Sequence, residues 1–191
     1  MEPPAYRQLP DCPTTYTNPI SDRVLIREAG VDPQVLSQAF LGVVLFCLGY
    51  PDQALAQSRA AIAEARRLAH PPSLASALAI GAELLSLGGD NAALGDRADE
   101  LIAITTEQGF PAWRAQGTIY RGYANVENGD VVDGVSLLRS GLSAYRSTGT
   151  VTWIAHLIAL LATACQAAGQ TEESLTLLDD ALQIVENTRE R

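Results

Sequence analysis

Gly49, Gly89, Gly129 and Gly169 stand forty residues apart, and each is followed by a polar segment able to start a helix: YPDQAL, DNAAL, DVVDG and QTEES. Seven residues before each glycine sits a small residue (Gly42, Ala82, Gly122, Ala162), and two before that a large apolar one (Phe40, Ile80, Tyr120, Leu160). Thirteen residues after each glycine an aliphatic side chain recurs: Ile62, Ile102, Leu142 and Leu182. A second break returns at Ala69-His70-Pro71, Gly109-Phe110-Pro111 and Gly149-Thr150, and Trp113 and Trp153 share the column in which the second unit has Ser73. Columns that keep register over four units mark a stacked repeat. Each unit is too small to bury its own apolar stripe and must share a core with its neighbours.

Between the breaks, apolar residues fall at helical spacing, as in Leu55, Ile62, Ala65 and Leu68 or Val135, Leu138 and Leu142. Aromatic residues make up only 6% of the chain while Ala and Leu dominate, which favours helices over sheets. Helices are therefore expected near 33–48, 51–69, 72–88, 90–108, 111–128, 130–147, 151–168 and 171–187. Pro51, Pro72 and Pro111 fall at helix starts, where a missing N–H costs nothing. The turn glycines supply the left-handed backbone that a short helix–helix connection needs. The small residue in the middle of each first helix lets its partner approach closely, and the resulting stack should curve with first helices inside. Residues 1–20 hold five of the ten prolines and read as an extended arm, with a short helix expected over 21–29. The repeat domain then spans 21–191, in units near 31–70, 71–110, 111–150 and 151–188.

The turn glycine, the small residue seven before it and the Ala-Leu of GYPDQAL resemble the tetratricopeptide pattern, and Ala54 and Ala61 match its small positions in the second helix. Later units depart from it, with Leu94, Gly134 and Ser174 in one position and Leu101, Gly141 and Ala181 in the other. The forty-residue period exceeds the usual thirty-four and overlaps HEAT repeats, so the long-helix variant fits. The segments LGYPDQAL (48–55), TEQGFPAWRAQGTIYRGYA (106–124) and GVDPQVLSQAFLGVVLFCLGYPDQAL (30–55) look like the repeat region of large bacterial regulators. Those proteins join a class III adenylate or guanylate cyclase, or a DNA-binding domain, to a signalling ATPase and a C-terminal helical array. The resemblance implies an all-α, right-handed α-α superhelix of about four helix pairs, serving as a sensor or protein-docking segment in the cytoplasm. It transfers neither cyclase nor ATPase activity.

The formal charge of −9 and the absence of a basic cluster argue against nucleic acid and anionic membranes as partners. All 13 basic residues are Arg, so a phosphate-loop lysine and a Schiff-base lysine are both impossible. Cys12, Cys47 and Cys165 fit neither zinc spacing nor a disulfide framework, and Cys47 and Cys165 are expected as buried small hydrophobes. The longest apolar run, Ala39 to Leu48, is too short to span a bilayer, and no secretory signal is visible. His70, at a turn, and His156 are the only histidines, and no Ser–His–acid set or paired histidine appears. The expectation is a chain with no catalytic, metal or cofactor site. A scaffold that takes up a protein or peptide is the leading reading, and a small-molecule sensor the alternative.

By register, the tetratricopeptide resemblance implies an inner face drawn from Leu36, Ser76, Gln116 and His156, from Val43, Glu83, Tyr123 and Thr163, and from Phe46, Ser86, Val126 and Gln166. Polar groups in the middle of apolar helices cost stability unless paired or hydrated. Glu83, Gln116, Tyr123 and the neighbouring Glu127 are thus the candidate contacts, with His156 and Trp113 beside them. Packing between successive units is the simpler role for Trp113 and Trp153, and rimming a groove the sharper one. Acidic pairs such as Asp99-Glu100, Glu172-Glu173 and Asp179-Asp180 read as solvated outer faces, and Arg66, Arg67 and Arg121 as partners of nearby acids. The last helix, Ser174 to Val185, shows an apolar face with nothing after it, which points to self-association through that end or to a chain cut from a longer array.

Overall fold

The computed structural model describes residues 30–188. Eight helices run through them: α1 Pro33–Cys47, α2 Pro51–Arg67, α3 Pro71–Gly88, α4 Asn91–Gln108, α5 Pro111–Glu127, α6 Val131–Ser147, α7 Ile154–Ala167 and α8 Thr171–Thr188. No strand occurs among the described residues. The Pro-rich arm over 1–20, the short helix over 21–29 and Cys12 lie outside them.

Local chemistry sets the ends of these helices. α1, α2, α3 and α5 start at a proline, whose fixed φ suits the first turn. The Asp32 carboxylate caps α1 by accepting from the backbone N–H groups of Gln34 and Val35, and Asp90 caps α4 through Ala93 N–H. At the turn inside each pair, Gly49, Gly89, Gly129 and Gly169 all hold positive φ, from 74° to 94°. That is the left-handed step that closes a helix and releases the chain into the next one. The first unit ends on Ala69, forced to φ 49° where later units have Gly109 and Gly149.

α7 departs from the expected 151–168. It begins only at Ile154, and Trp153 just before it sits in the left-handed region at φ 63°. No proline pre-sets a first turn here, and the Tyr145 hydroxyl donates to the Thr152 carbonyl, which holds 150–153 as a loop.

The small-residue columns are where helices touch. A Cβ on Gly122 would lie 2.7 Å from the Gly134 carbonyl oxygen and 2.8 Å from the Leu138 nitrogen, so α5 and α6 meet backbone to backbone. Gly42 faces the Ala54 carbonyl at 3.0 Å by the same measure, while Ala82 and Ala162 fill the equivalent positions fully buried. Between units, Gly81 faces Ser58 and Ile62 of α2, and Gly117 faces Ala98, Leu101 and Ile102 of α4.

The backbones of successive first helices (α1, α3, α5, α7) pack closely against one another, whereas second helices of successive pairs meet only through long side chains such as Arg66 with Glu100 and Arg139 with Glu173. The stack therefore curls with its first helices inside, as a superhelix. Arg66–Glu100, Arg121–Asp99 and Arg139–Glu173 link helices of different pairs, and Arg67–Glu64 lies within α2. Asp99, Glu100 and Glu173 are thus ion-paired and not merely solvated, though exposed pairs of this kind stabilise by at most about 1 kcal/mol each. Cys165 is buried as expected. Cys47 is not; it stands exposed at the last residue of α1.

Candidate functional site

The curl of the superhelix gathers side chains from four units into one cavity of about 570 Å³. Leu36 and Phe40 come from α1, Ser76 and Ile80 from α3, Trp113 and Gln116 from α5, Tyr145 from α6, and Thr152 and Trp153 from the loop before α7; Phe110 closes the wall. Phe40 and Trp153 stack at 6.2 Å between ring centroids, and Phe110 meets Trp113 edge-on at 5.4 Å. The first of these pairs joins the first unit to the fourth. Trp153 thus packs against the core shared by the third and fourth units and also reaches across the array to line the cavity.

The aromatic content is concentrated there. Both tryptophans of the chain and two of its three phenylalanines line this one cavity, although aromatics are only 6% of the sequence. No acidic or basic residue is among the lining side chains. Rigid aromatic walls with a few hydroxyl and amide groups are the usual make-up of a site that takes an organic ligand or an anchoring side chain.

The candidates singled out from sequence fall in three places. Trp113 and Gln116 line the cavity; Gln116 is buried, and its amide lies 3.4 Å from the Tyr120 hydroxyl. Glu83 lies one helical turn beyond Ala79 on the same side of α3 and is only 3% exposed. Its Oε2 has no hydrogen-bond partner among the described residues, and burial pushes its carboxyl up to about 8. It faces two phenols: the Tyr120 hydroxyl is pushed up by burial and by Glu83, and that of Tyr145 up to about 12 for the same reasons. His156 Nε2 lies 3.3 Å from the Ser86 hydroxyl, with burial holding the imidazole below its ordinary value. Tyr123 is half-buried beside Glu127, and burial followed by that carboxylate pushes its hydroxyl up. Glu127 itself is exposed and accepts from the Asn91 amide. The structure thus brings Trp113 and Gln116 together in the cavity wall, buries Glu83 on α3, sets His156 against Ser86, and leaves Tyr123 and Glu127 outside the cavity lining.

Sequence reasoning misses Phe40 and Phe110 as lining groups, and reaches Trp153 only as the sharper of two roles. Their scarcity is the available signal: rare aromatics in an Ala-Leu background, with Phe110 and Trp153 beside breaks between units. Among the described residues no group of three His, Cys, Asp or Glu could hold a metal ion. No helix among them is long and apolar enough to cross a membrane.

No protein-family model matches the chain, and no curated protein matches it. Solved structures do. A putative kinesin light chain of Podosopora anserina with nearly identical TPR-like repeats superposes, in a singly substituted form, with a TM-score of 0.55, at 20% identity over 83% of this chain and 78% of that one. A second structure of those repeats gives 0.52, at 20% identity over 83% and 79%. The apo form of RapI gives 0.62, at 10% identity over 88% of this chain. The fold is a tetratricopeptide-like superhelix. This chain spans only 62% of RapI, and identities this low speak for the fold alone.

Proposed function

We propose that this chain is a non-catalytic scaffold that holds a peptide or protein segment against the inner face of its superhelix. One observation carries the reading: Phe40, Trp113 and Trp153, separated by up to 113 positions in sequence, line one cavity walled without ionised groups. Rigid aromatics lose little entropy on binding and dominate the energetics of anchor pockets. Trp113, Trp153 and Gln116 would grip an apolar or aromatic anchor residue. His156, Tyr123 and Glu127 would extend the same face along α7 and α5 for the rest of a longer segment, with Glu83 buried beneath it on α3. The tetratricopeptide-like fold supports a role in protein interaction, and the resemblance to bacterial regulators supports placing it in a cytoplasmic signalling protein.

Selection from a displayed peptide library tests this. Enriched peptides should share an apolar or aromatic anchor and weaken at least ~10-fold, or about 1.4 kcal/mol, against Trp153→Ala or Gln116→Ala. An outer-face control, Arg66→Ala, should leave them unchanged. Peptides that bind the groove variants as tightly as the parent chain would overturn the proposal.

The cavity volume favours a second reading, a small-molecule sensor, since about 570 Å³ lies within the range of ligand pockets. A thermal-shift screen against metabolites and nucleotides separates the two. A ligand that binds only the folded chain raises the melting temperature, and Gln116→Ala should abolish the shift.

A further inference from the structure

Within the array every interface between units has the same form: the second helix of one pair packs on the first helix of the next, as α2 on α3, α4 on α5 and α6 on α7. The columns that make these contacts are buried or half-buried wherever such a partner is present. On the second helices, Ser58, Ala98 and Leu138 are buried, and so are Ile62 and Leu142; their equivalents on α8, Leu178 and Leu182, are 40% and 61% exposed. Leu175 is 59% exposed where Val135 is buried. The other end mirrors this. Val44 on α1 is 53% exposed where Leu84, Ala124 and Ala164 are buried, and Leu41 is 40% exposed where Leu161 is buried.

The two ends therefore expose the same columns that the internal interfaces cover. The α6–α7 contact shows that leucines in these columns can form such an interface: Leu138, Leu142, Leu157 and Leu161 belong to one buried cluster. We propose that α8 of one copy of this chain docks on α1 of the next, so that copies continue the superhelix head to tail.

Charge chooses this pairing over α8 against α8. α8 carries Glu172, Glu173, Asp179, Asp180 and Glu186 with no basic residue between Thr171 and Thr188, so two such helices would set like charges together. α1 carries no charged residue from Pro33 to Cys47 and accepts an acid-edged helix without repulsion. Because the contact joins two different surfaces, each added copy offers a fresh end, and growth does not stop at two.

Sedimentation velocity on the full chain tests the proposal. The weight-average mass should climb from 20.3 kDa past twice that value as concentration rises from micromolar towards millimolar. Leu182→Arg and Val44→Arg each spoil one end at an exposed position, so both should stay helical and monomeric alone. Mixed, they should form one-to-one pairs and nothing larger, since each supplies the end the other lacks. That rescue also proves both variants folded. A parent chain that stays monomeric throughout overturns the proposal, as does Val44→Arg dimerising by itself, which would mean α8 pairs with α8. Failure of the mixture to pair overturns it as well. None of these outcomes bears on ligand uptake by the inner cavity.

Discussion

Replacing Gly122 with alanine would drive a methyl carbon to 2.7 Å from the Gly134 carbonyl oxygen, 2.8 Å from the Leu138 nitrogen and 2.9 Å from the Leu137 Cβ. Two of these three atoms belong to backbone inside a regular helix and cannot rotate away. α5 and α6 must separate, which loosens the buried Tyr120, Ala124 and Leu138 around them. Overpacking of this kind costs about 1–3 kcal/mol, and the upper end applies where backbone is struck. Alanine returns about 1 kcal/mol by favouring helix over glycine. The net expectation is a loss of roughly 2 kcal/mol, or a melting temperature lower by about 4–8 °C for a chain of this size. Gly42→Ala is the internal control. Its Cβ meets one atom tightly, the Ala54 carbonyl at 3.0 Å, and the equivalent columns already hold Ala82 and Ala162. There gain and cost nearly cancel, and the change should stay within about 0.5 kcal/mol. Urea unfolding followed by circular dichroism reads both. A Gly122→Ala chain as stable as the parent, or a Gly42→Ala chain damaged as badly, would refute the backbone-contact argument.

Three further expectations follow from single groups. Glu83 has a folded pKa of about 8 against an ordinary 4.5, so the folded chain holds an extra proton between those values and loses stability as pH rises through them. Glu83→Gln should melt with the parent at pH 4 and well above it at pH 8, by an amount worth up to roughly 4 kcal/mol; parallel pH–melting curves would contradict this. Tyr145→Phe removes the hydroxyl that holds the Thr152 carbonyl and should cost about 1 kcal/mol, with a red shift of Trp153 emission as its loop loosens. Ala69→Gly relieves a left-handed alanine and should raise stability by about 0.5 kcal/mol in the same urea assay, less than the full strain because glycine also frees the unfolded chain.

The fold is legible in the sequence because its constraints are local and repeated. Gly89 or Gly169 can end a helix wherever it occurs, and Pro51 or Pro111 can start one, so the expected helix ends lie within three residues of those observed. α7 strays furthest because its start depends on the Tyr145 hydroxyl, a tertiary contact that no local pattern encodes. The candidate site is legible only in part. Register places Ser76, Gln116 and Leu36 on the inner face, and all three line the cavity. The tightness of the curl is set by how closely first helices pack across units, which a one-dimensional repeat leaves open. Sequence reasoning makes Glu83 and Gln116 open groove contacts, yet only 3% and 4% of their surfaces meet solvent, and Phe40 reaches Trp153 from the far end of the array.

The two indole N–H signals in a ¹H–¹⁵N spectrum, assigned with Trp113→Phe, give the most direct test. If the inner cavity is where a partner segment anchors, a selected peptide should shift both indoles and the Gln116 side-chain amide at one common midpoint. A bound peptide that leaves both indoles unmoved while shifting residues of α2, α4 and α6 would show that the outer face does the binding.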